Sequence, residues 1–181
     1  MIAMPEILVL RLGHRLPRDE RITTHVALVA RAFGAEGIIY SGQHDSSFEE
    51  SVRRICANWG GSFSVRFEKN PLKFAKECKK DGYSLAHLTM YGMPLPEKTA
   101  ELQKCEKVLV IVGAEQVPAE FYHISDFNIS VTSQPHSEVA ALAVALDRLM
   151  EGRELDREFS KHFKGKLALI PDERGKKIAK Q

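Results

Sequence analysis

The sequence predicts an α/β fold in which a mainly parallel sheet is flanked by helices. Three observations carry this prediction. Apolar, β-rich runs alternate with apolar stripes at helical spacing along most of the chain, as in βαβ units. The run at residues 107–112 is apolar without alternation, which is typical of a strand covered on both faces. With 181 residues, 44% of them hydrophobic, the chain is long enough for one domain with a sizeable core.

The first half of the chain contains three predicted strands, at residues 6–12, 37–40 and 62–67. A helix follows each of them. The expected N-cap residue of the first helix is Thr23 or Thr24. The second helix begins with a capping-box pattern, because Ser46 and Ser47 precede Glu49 and Glu50 by three residues. The third helix begins at the pair Asn70-Pro71.

The second half contains predicted strands at residues 83–89, 107–112 and 127–131, and the most hydrophobic of them, 107–112, is expected at the sheet centre. A short helix is predicted at residues 97–104, and a long apolar stripe then runs to Gly152. We expect residues 1–152 to form the main domain and residues 153–181 a C-terminal extension. Within the extension, residues 167–170 and the turn after them predict a small β-hairpin with a basic tail.

Basic side chains are concentrated in the first loop, although the net charge of +2 does not by itself indicate nucleic acid. Four lie within eight positions and repel one another unless anions intervene; they are His14, Arg15, Arg18 and Arg21. A phosphate backbone is one partner for such a loop. A solvated loop balanced by Asp19 and Glu20 is the alternative.

The three cysteines show no metal-binding spacing, which predicts reduced thiols, no metal site and a cytoplasmic location. Residues 1–12 are too short, and too soon interrupted by Arg11, for a signal peptide or a membrane span, so we expect no membrane contact. The sequence also lacks the glycine-rich dinucleotide fingerprint, the phosphate-binding Walker loop and the serine-hydrolase elbow. These absences argue against the enzyme classes that those motifs define.

Two polar loops follow late strands, where open α/β sheets bind their ligands. After the strand at 107–112, Gly113 permits close approach of a ligand to the backbone, although an ordinary turn would look the same. After the strand at 127–131, polar residues precede a helix, and backbone N–H groups there suit an adenine or a ribose. Simple capping, by Ser133 or Gln134 with Pro135 in the first turn, is the alternative.

Histidine and arginine positions offer further candidates. His25 and Arg31 lie six residues apart and therefore on different helix faces, and Arg31 is either exposed or directed at a site. His87 lies within a strand, where a lone histidine is more often a core residue than a base. His136 lies beside the second polar loop.

Four segments, at residues 18–34, 87–92, 112–118 and 128–142, closely resemble the archaeal tRNA (cytidine-56) 2′-O-methyltransferases of the SPOUT class. The resemblance implies a deep trefoil knot in the C-terminal half, a homodimer that the C-terminal extension supports, a tRNA substrate and S-adenosyl-L-methionine as cofactor. It also implies three cofactor-binding loops, and these contain Leu88, Thr89, Tyr91, Gly92, Gly113, Ala114, Glu115, Gln116, Val117, Ile129, Ser130, Val131, Thr132, Ser133, Gln134, Pro135, His136, Ser137 and Glu138.

The resemblance implies an arginine that assists the 2′-hydroxyl. Many SPOUT ribose methyltransferases place an asparagine six residues before this arginine, whereas here that spacing joins His25 to Arg31. Arg18 and Arg21 compete with Arg31 for the role. Water, the neighbouring phosphate or a neutral His25 would accept the proton. A non-catalytic RNA-binding module is the rival interpretation from another class, but the intact Gly113 loop and the motif at residues 128–130 favour the enzyme. A base methyltransferase of the same class is the weaker third interpretation.

Overall fold

The computed structural model describes residues 4–113, 116–156 and 161–181. Six parallel strands form the main sheet in the order β3-β2-β1-β5-β4-β6. The strands are β1 (Glu6–His14), β2 (Gly37–Gly42), β3 (Ser64–Phe67), β4 (Ser84–Pro94), β5 (Lys107–Val112) and β6 (Phe127–Ser130). The predicted α/β class is therefore confirmed, and the most hydrophobic strand, β5, lies inside the sheet as expected.

Helices cover both faces of this sheet. They are α1 (Glu20–Ala32), α2 (Ser46–Trp59), α3 (Pro71–Lys80), α4 (Leu95–Leu102), α5 (Ala119–Ile124) and α6 (Glu138–Met150). Helices α1, α2, α4 and α6 bury their apolar stripes in one core layer, and α3 and α5 bury theirs in the other. None of the helices in the described parts of the chain combines the length and the apolar character that a bilayer crossing requires.

The C-terminal hairpin is also confirmed, since β7 (Leu167–Ile170) pairs antiparallel with β8 (Lys177–Lys180). A short 3₁₀ helix, Arg153–Leu155, follows α6. The segment before the hairpin contacts the end of α2, because Lys164 forms an isolated bridge with Gly60. The extension thus packs against the first half of the chain.

Several predicted helix starts are wrong. Helix α1 begins at Glu20 with Asp19 as its N-cap residue, so neither Thr23 nor Thr24 caps it. In α2 the cap is Asp45, whose carboxylate accepts a hydrogen bond from the Phe48 amide at 3.0 Å. An aspartate accepts the same amide bond as a serine, and the sequence pattern alone did not separate neighbouring candidates.

Strand β4 extends beyond its predicted end at residue 89 and runs to Pro94. Residues 86–88 pair with β6, residues 89–92 bulge away, and Met93 and Pro94 pair with β6 again. As a result α4 begins at Leu95, two residues before its predicted start. The bulge wraps closely round the end of β6.

Gly92 lies at this crossing. A Cβ atom on Gly92 would lie 2.5 Å from the carbonyl carbon and oxygen of Asn128 and from the amide nitrogen of Ile129. These are backbone atoms of a buried strand pair, which cannot move aside as a flexible side chain can. The absence of a side chain is therefore a condition for β4 and β6 to meet.

We predict that Gly92→Ala lowers the free energy of unfolding by at least about 1–3 kcal/mol, the usual cost of overpacking. Gly175→Ala is the matched control, because an added Cβ there would meet only the Asp172 side chain, at 3.5 Å. Urea unfolding of both variants measures the difference. Equal stability of the two variants would contradict the close crossing.

Candidate functional site

A cavity of about 430 Å³ opens where β4, β5 and β6 end. Its wall consists of three stretches that follow these strands, together with parts of α1, α5 and α6. The lining residues are Ile22, His87, Leu88, Thr89, Met90, Tyr91, Val112, Gly113, Val117, Tyr122, Ile129, Val131, Pro135, His136, Ser137, Glu138 and Ala141. The three loops that the sequence predicted therefore meet at one site.

Most of the predicted cofactor residues line this cavity, but not all. Gly92, Gln116, Ser130, Thr132, Ser133 and Gln134 are not in its lining. Ala114 and Glu115 fall outside the described residues. Sequence reasoning missed the deeper wall at Ile22, Val112 and Tyr122, because core side chains of strands and helices carry no loop-like polar signal. His87, which the sequence suggested to be a core histidine, also lines this wall.

Gly113 determines how closely the loop after β5 packs on itself. A Cβ at this position would lie 2.1 Å from Cγ2 of Val117, another lining residue. Any side chain at Gly113 would therefore displace Val117 and change the shape of the wall. Gly113 is therefore required by the close approach of Val117, not by an unusual backbone angle. The close approach of a ligand, which the sequence suggested, stays a prediction.

The loop between β6 and α6 is stabilised by its own polar groups. The Ser130 hydroxyl donates to the Thr132 carbonyl at 2.7 Å, and the Thr132 hydroxyl accepts from the Gln134 amide at 2.9 Å. Ser137 is the N-cap residue of α6, accepting from the Val139 amide. The predicted caps Ser133 and Gln134 are therefore wrong, since the helix begins three residues later than Pro135 would place it.

Arg11 forms a buried ion pair that sequence reasoning also missed. Its guanidinium, whose side chain is 1% exposed, lies 2.9 Å from the Glu138 carboxylate at the start of α6. Burial lowers the pKa of Arg11 and raises the pKa of Glu138, and in each case the partner's charge opposes the effect of burial. The pair therefore joins the end of β1 to the cavity wall at a cost in desolvation.

The basic loop is less uniform than its sequence. His14 is fully buried, and its Nδ1 lies 2.8 Å from the Thr23 hydroxyl. Arg15 is held by the Asp19 carboxylate at 2.9 Å. Two of the four basic residues thus have structural roles, whereas Arg18 and Arg21 expose their side chains to solvent.

Arg31 lies away from the cavity. Its guanidinium donates to the Gly60 carbonyl at 2.6 Å and lies 4.7 Å from the centre of the Phe163 ring. These contacts attach α1 to the end of α2 and to the C-terminal extension. His25 is exposed on α1 and does not line the cavity either.

Comparison with known proteins shows close relatives of this chain. The family model for tRNA ribose 2′-O-methyltransferase, aTrm56, matches residues 59–179. A tRNA (cytidine(56)-2′-O)-methyltransferase of Methanopyrus kandleri is 52% identical over 174 residues, covering 96% of this chain and 96% of that protein. The protein of the same name from Pyrococcus horikoshii is 50% identical, covering 95% of this chain and 84% of its own length.

Solved structures show the same fold at low identity. The chain is similar to the TrmH/SpoU tRNA modifying enzyme of A. aeolicus, with a TM-score of 0.64, 16% identity and coverage of 89% of this chain and 86% of that one. It is similar also to the SpoU methyltransferase AviRb of Streptomyces viridochromogenes, crystallised with the cofactor AdoMet, with a TM-score of 0.59, 17% identity and coverage of 87% and 61%. The predicted trefoil-knotted SPOUT fold is thereby confirmed.

The Asp19 carboxylate organises the basic loop, and this yields a pH-dependent prediction. Burial alone would raise the pKa of Asp19, but its hydrogen bonds and charge interactions with Arg15 outweigh burial and lower it below the ordinary 3.8. A lowered pKa in the folded state stabilises the protein above pH 3.8, and this contribution is lost as the pH falls through the folded-state pKa. We therefore expect Asp19→Asn to cost about 1 kcal/mol at pH 7 and progressively less in acid.

Chemical unfolding at pH 7 and pH 3 measures this difference. Glu20→Gln removes the same charge one residue away, at an exposed position, and is the control. A loss in Asp19→Asn that persists undiminished at pH 3 would show that the carboxylate charge is not responsible.

Proposed function

The chain belongs to the family of tRNA ribose 2′-O-methyltransferases, and we propose that it transfers a methyl group from S-adenosylmethionine to the 2′-oxygen of cytidine 56 in tRNA. The observation that carries the proposal is the convergence of three strand-end loops on one cavity, whose wall also includes Ile22 of α1. Arg18 and Arg21, just before and in the first turn of this helix, are exposed. The family assignment favours an enzyme over a non-catalytic binding module and ribose over base as the methyl acceptor. Three cysteines that form no disulfide agree with a cytoplasmic location.

The cavity has the chemistry that a sulfonium nucleoside requires. Its volume of about 430 Å³ falls in the usual range for small-molecule sites. Apolar walls at Leu88, Val112 and Ile129 suit the faces of a purine, and Gly113 keeps one wall free of a side chain. When bound, S-adenosylmethionine supplies a methyl group already activated by a positively charged sulfur.

Activation of the ribose hydroxyl is left to the protein. The described lining residues include no lysine and no arginine, and the buried Arg11 reaches the wall through its ion pair with Glu138. Arg21, in the first turn of α1, is adjacent in sequence to Ile22, which lines the cavity, and Arg18 lies in the loop just before this helix. We assign these two arginines to the developing oxyanion and the adjoining phosphate, where one lost donor costs about 3 kcal/mol in barrier.

Arg31 is the weaker candidate for that role. Within its own chain it is bound to Gly60 and Phe163 rather than directed at the cavity. An arginine also does not remove protons, since its pKa exceeds about 12. Proton removal therefore falls to water, to the neighbouring phosphate, or to His25, whose exposed side chain lies on the first turns of α1.

We further propose that two chains associate, with the extension at residues 153–181 contributing to the dimer. Apolar side chains remain exposed on the hairpin, where Leu169 is 71% and Ile178 is 54% exposed. Tyr91, at the mouth of the cavity, is 81% exposed. Large apolar surfaces of this kind favour burial against a partner.

The target nucleotide gives the direct test of the function. The purified protein should methylate a tRNA transcript at cytidine 56 in the presence of S-adenosylmethionine, as mapped by mass spectrometry of nuclease fragments. A transcript with 2′-deoxycytidine at position 56 is the matched control and should accept no methyl group there. Methylation of the deoxy control, or of the base, would overturn the proposed chemistry.

Changing Arg18 and Arg21 to alanine should weaken tRNA binding and reduce its salt dependence, because each arginine that contacts a phosphate releases about one counterion. Cofactor affinity should not change, since neither side chain lines the cavity. Filter binding at several salt concentrations and calorimetry with the cofactor measure the two effects. Arg174→Ala, in the exposed hairpin turn, is a control for loss of charge. An equal fall in cofactor affinity would instead place the loop in the cofactor site.

A further inference from the structure

The cavity wall contains a buried polar group that the mechanism above does not use. His87, on β4, is fully buried and lines the cavity. Its Nε2 atom has no hydrogen-bond partner among the residues that the structure describes. A buried polar atom without a partner is costly, and it indicates a missing ligand or water.

The neighbouring hydrogen bonds determine which nitrogen of His87 carries the proton. The Asn128 side-chain amide donates through Nδ2 to the Tyr122 carbonyl at 2.9 Å. This bond fixes the orientation of the amide, so its oxygen Oδ1 is the atom that lies 2.9 Å from His87 Nδ1. An amide oxygen only accepts hydrogen bonds, and therefore Nδ1 holds the proton and the neutral ring presents a lone pair at Nε2.

The ring is also fixed in position. Its edge packs against Tyr122, with ring centres 4.6 Å apart and an angle of 87° between the planes. The Tyr122 hydroxyl in turn lies 3.1 Å from the hydroxyl of Thr89. Burial lowers the pKa of His87 despite the bond to Asn128, so the ring is neutral near pH 7. His87 Nε2 is thus a preorganised acceptor without a partner, on a residue of the cavity wall.

We propose that the Nε2 lone pair of His87 accepts a hydrogen bond from the exocyclic amine of the cofactor's adenine and so selects an aminopurine. The inference rests on the proposed function, because it assumes a nucleoside cofactor in this cavity. On adenine the exocyclic amine is the hydrogen-bond donor, while the ring nitrogens of the bound base are acceptors. The charged amino-acid end of the cofactor is unsuited to this part of the wall, since a charge without a charged partner is costly beside apolar side chains.

The test compares two ligands that are not methyl donors: S-adenosylhomocysteine and its analogue in which hydrogen replaces the purine amine. Calorimetry should show that the wild-type protein binds S-adenosylhomocysteine roughly ten-fold more tightly than the analogue, because one buried hydrogen bond contributes about that much affinity. His87→Phe keeps an aromatic ring against Tyr122 but lacks the acceptor. This variant should bind the two ligands with affinities within about two-fold of each other, mainly because its affinity for S-adenosylhomocysteine is lower.

His123→Phe, at an exposed position on α5, is the matched control and should retain the preference. A wild-type protein that binds neither ligand would count against the proposed function itself. A wild-type protein that binds both ligands equally, or a His87→Phe variant that keeps the preference, would overturn this inference alone. Equal weakening of both ligands by His87→Phe would show a role in packing only and would likewise overturn it.

A second measurement does not depend on the folding of a variant. In the wild-type protein, the nitrogen resonance of His87 Nε2 should move when S-adenosylhomocysteine is added, because an imidazole nitrogen that accepts a hydrogen bond is more shielded than one that does not. The analogue without the amine should leave that resonance near its free position. Identical shifts with the two ligands would contradict the assigned bond.

Discussion

The site depends on one constraint, the double pairing of β4 with β6 around the bulge at residues 89–92. Strand β4 lies between β5 and β6, and all three run parallel, so their carboxyl ends lie at the same edge. The bulge closes over the end of β6 at Gly92, where the backbones approach too closely for a side chain. The three loops therefore meet because of backbone register, and their side chains only refine a cavity that the sheet already defines.

The charged side chains of the basic loop lie outside the cavity wall. The described cavity wall is mostly uncharged, and its carboxylate, Glu138, is already paired with the buried Arg11. Burial lowers the pKa of Arg11 and raises the pKa of Glu138, and both changes disfavour the charged forms. The ion pair therefore fixes the position of the two side chains rather than adding net stability. The exposed arginines lie outside this wall, where they can meet a phosphate without first losing their hydration to the cavity.

Local sequence patterns predicted the features that depend on residues close together in the chain. Apolar runs and, at residues 62–67, apolar alternation identified all six strands, and the continuous run at 107–112 identified the strand that is buried on both faces. The failures have long-range causes. The extension of β4 to Pro94 depends on β6, some 35 residues later, and the burial of His14 depends on Thr23 and Asp45. The loop before α6 offers several residues able to cap a helix, and only tertiary packing selects Ser137.

Strand β1 links the two halves of the proposed reaction. Arg11 on this strand binds Glu138 at the cavity, and His14 at its end binds Thr23 of α1, beside the basic loop. The His14 contact is buried, and Arg11, 1% exposed, meets a Glu138 that is 22% exposed, so one strand of the central sheet positions both the cavity wall and the start of α1. A methyl transfer requires donor and acceptor to be held within near-contact geometry. Rigid placement from β1 meets that requirement better than two independently mobile loops, and it explains why His14, alone of the four basic-loop residues, is committed to the interior.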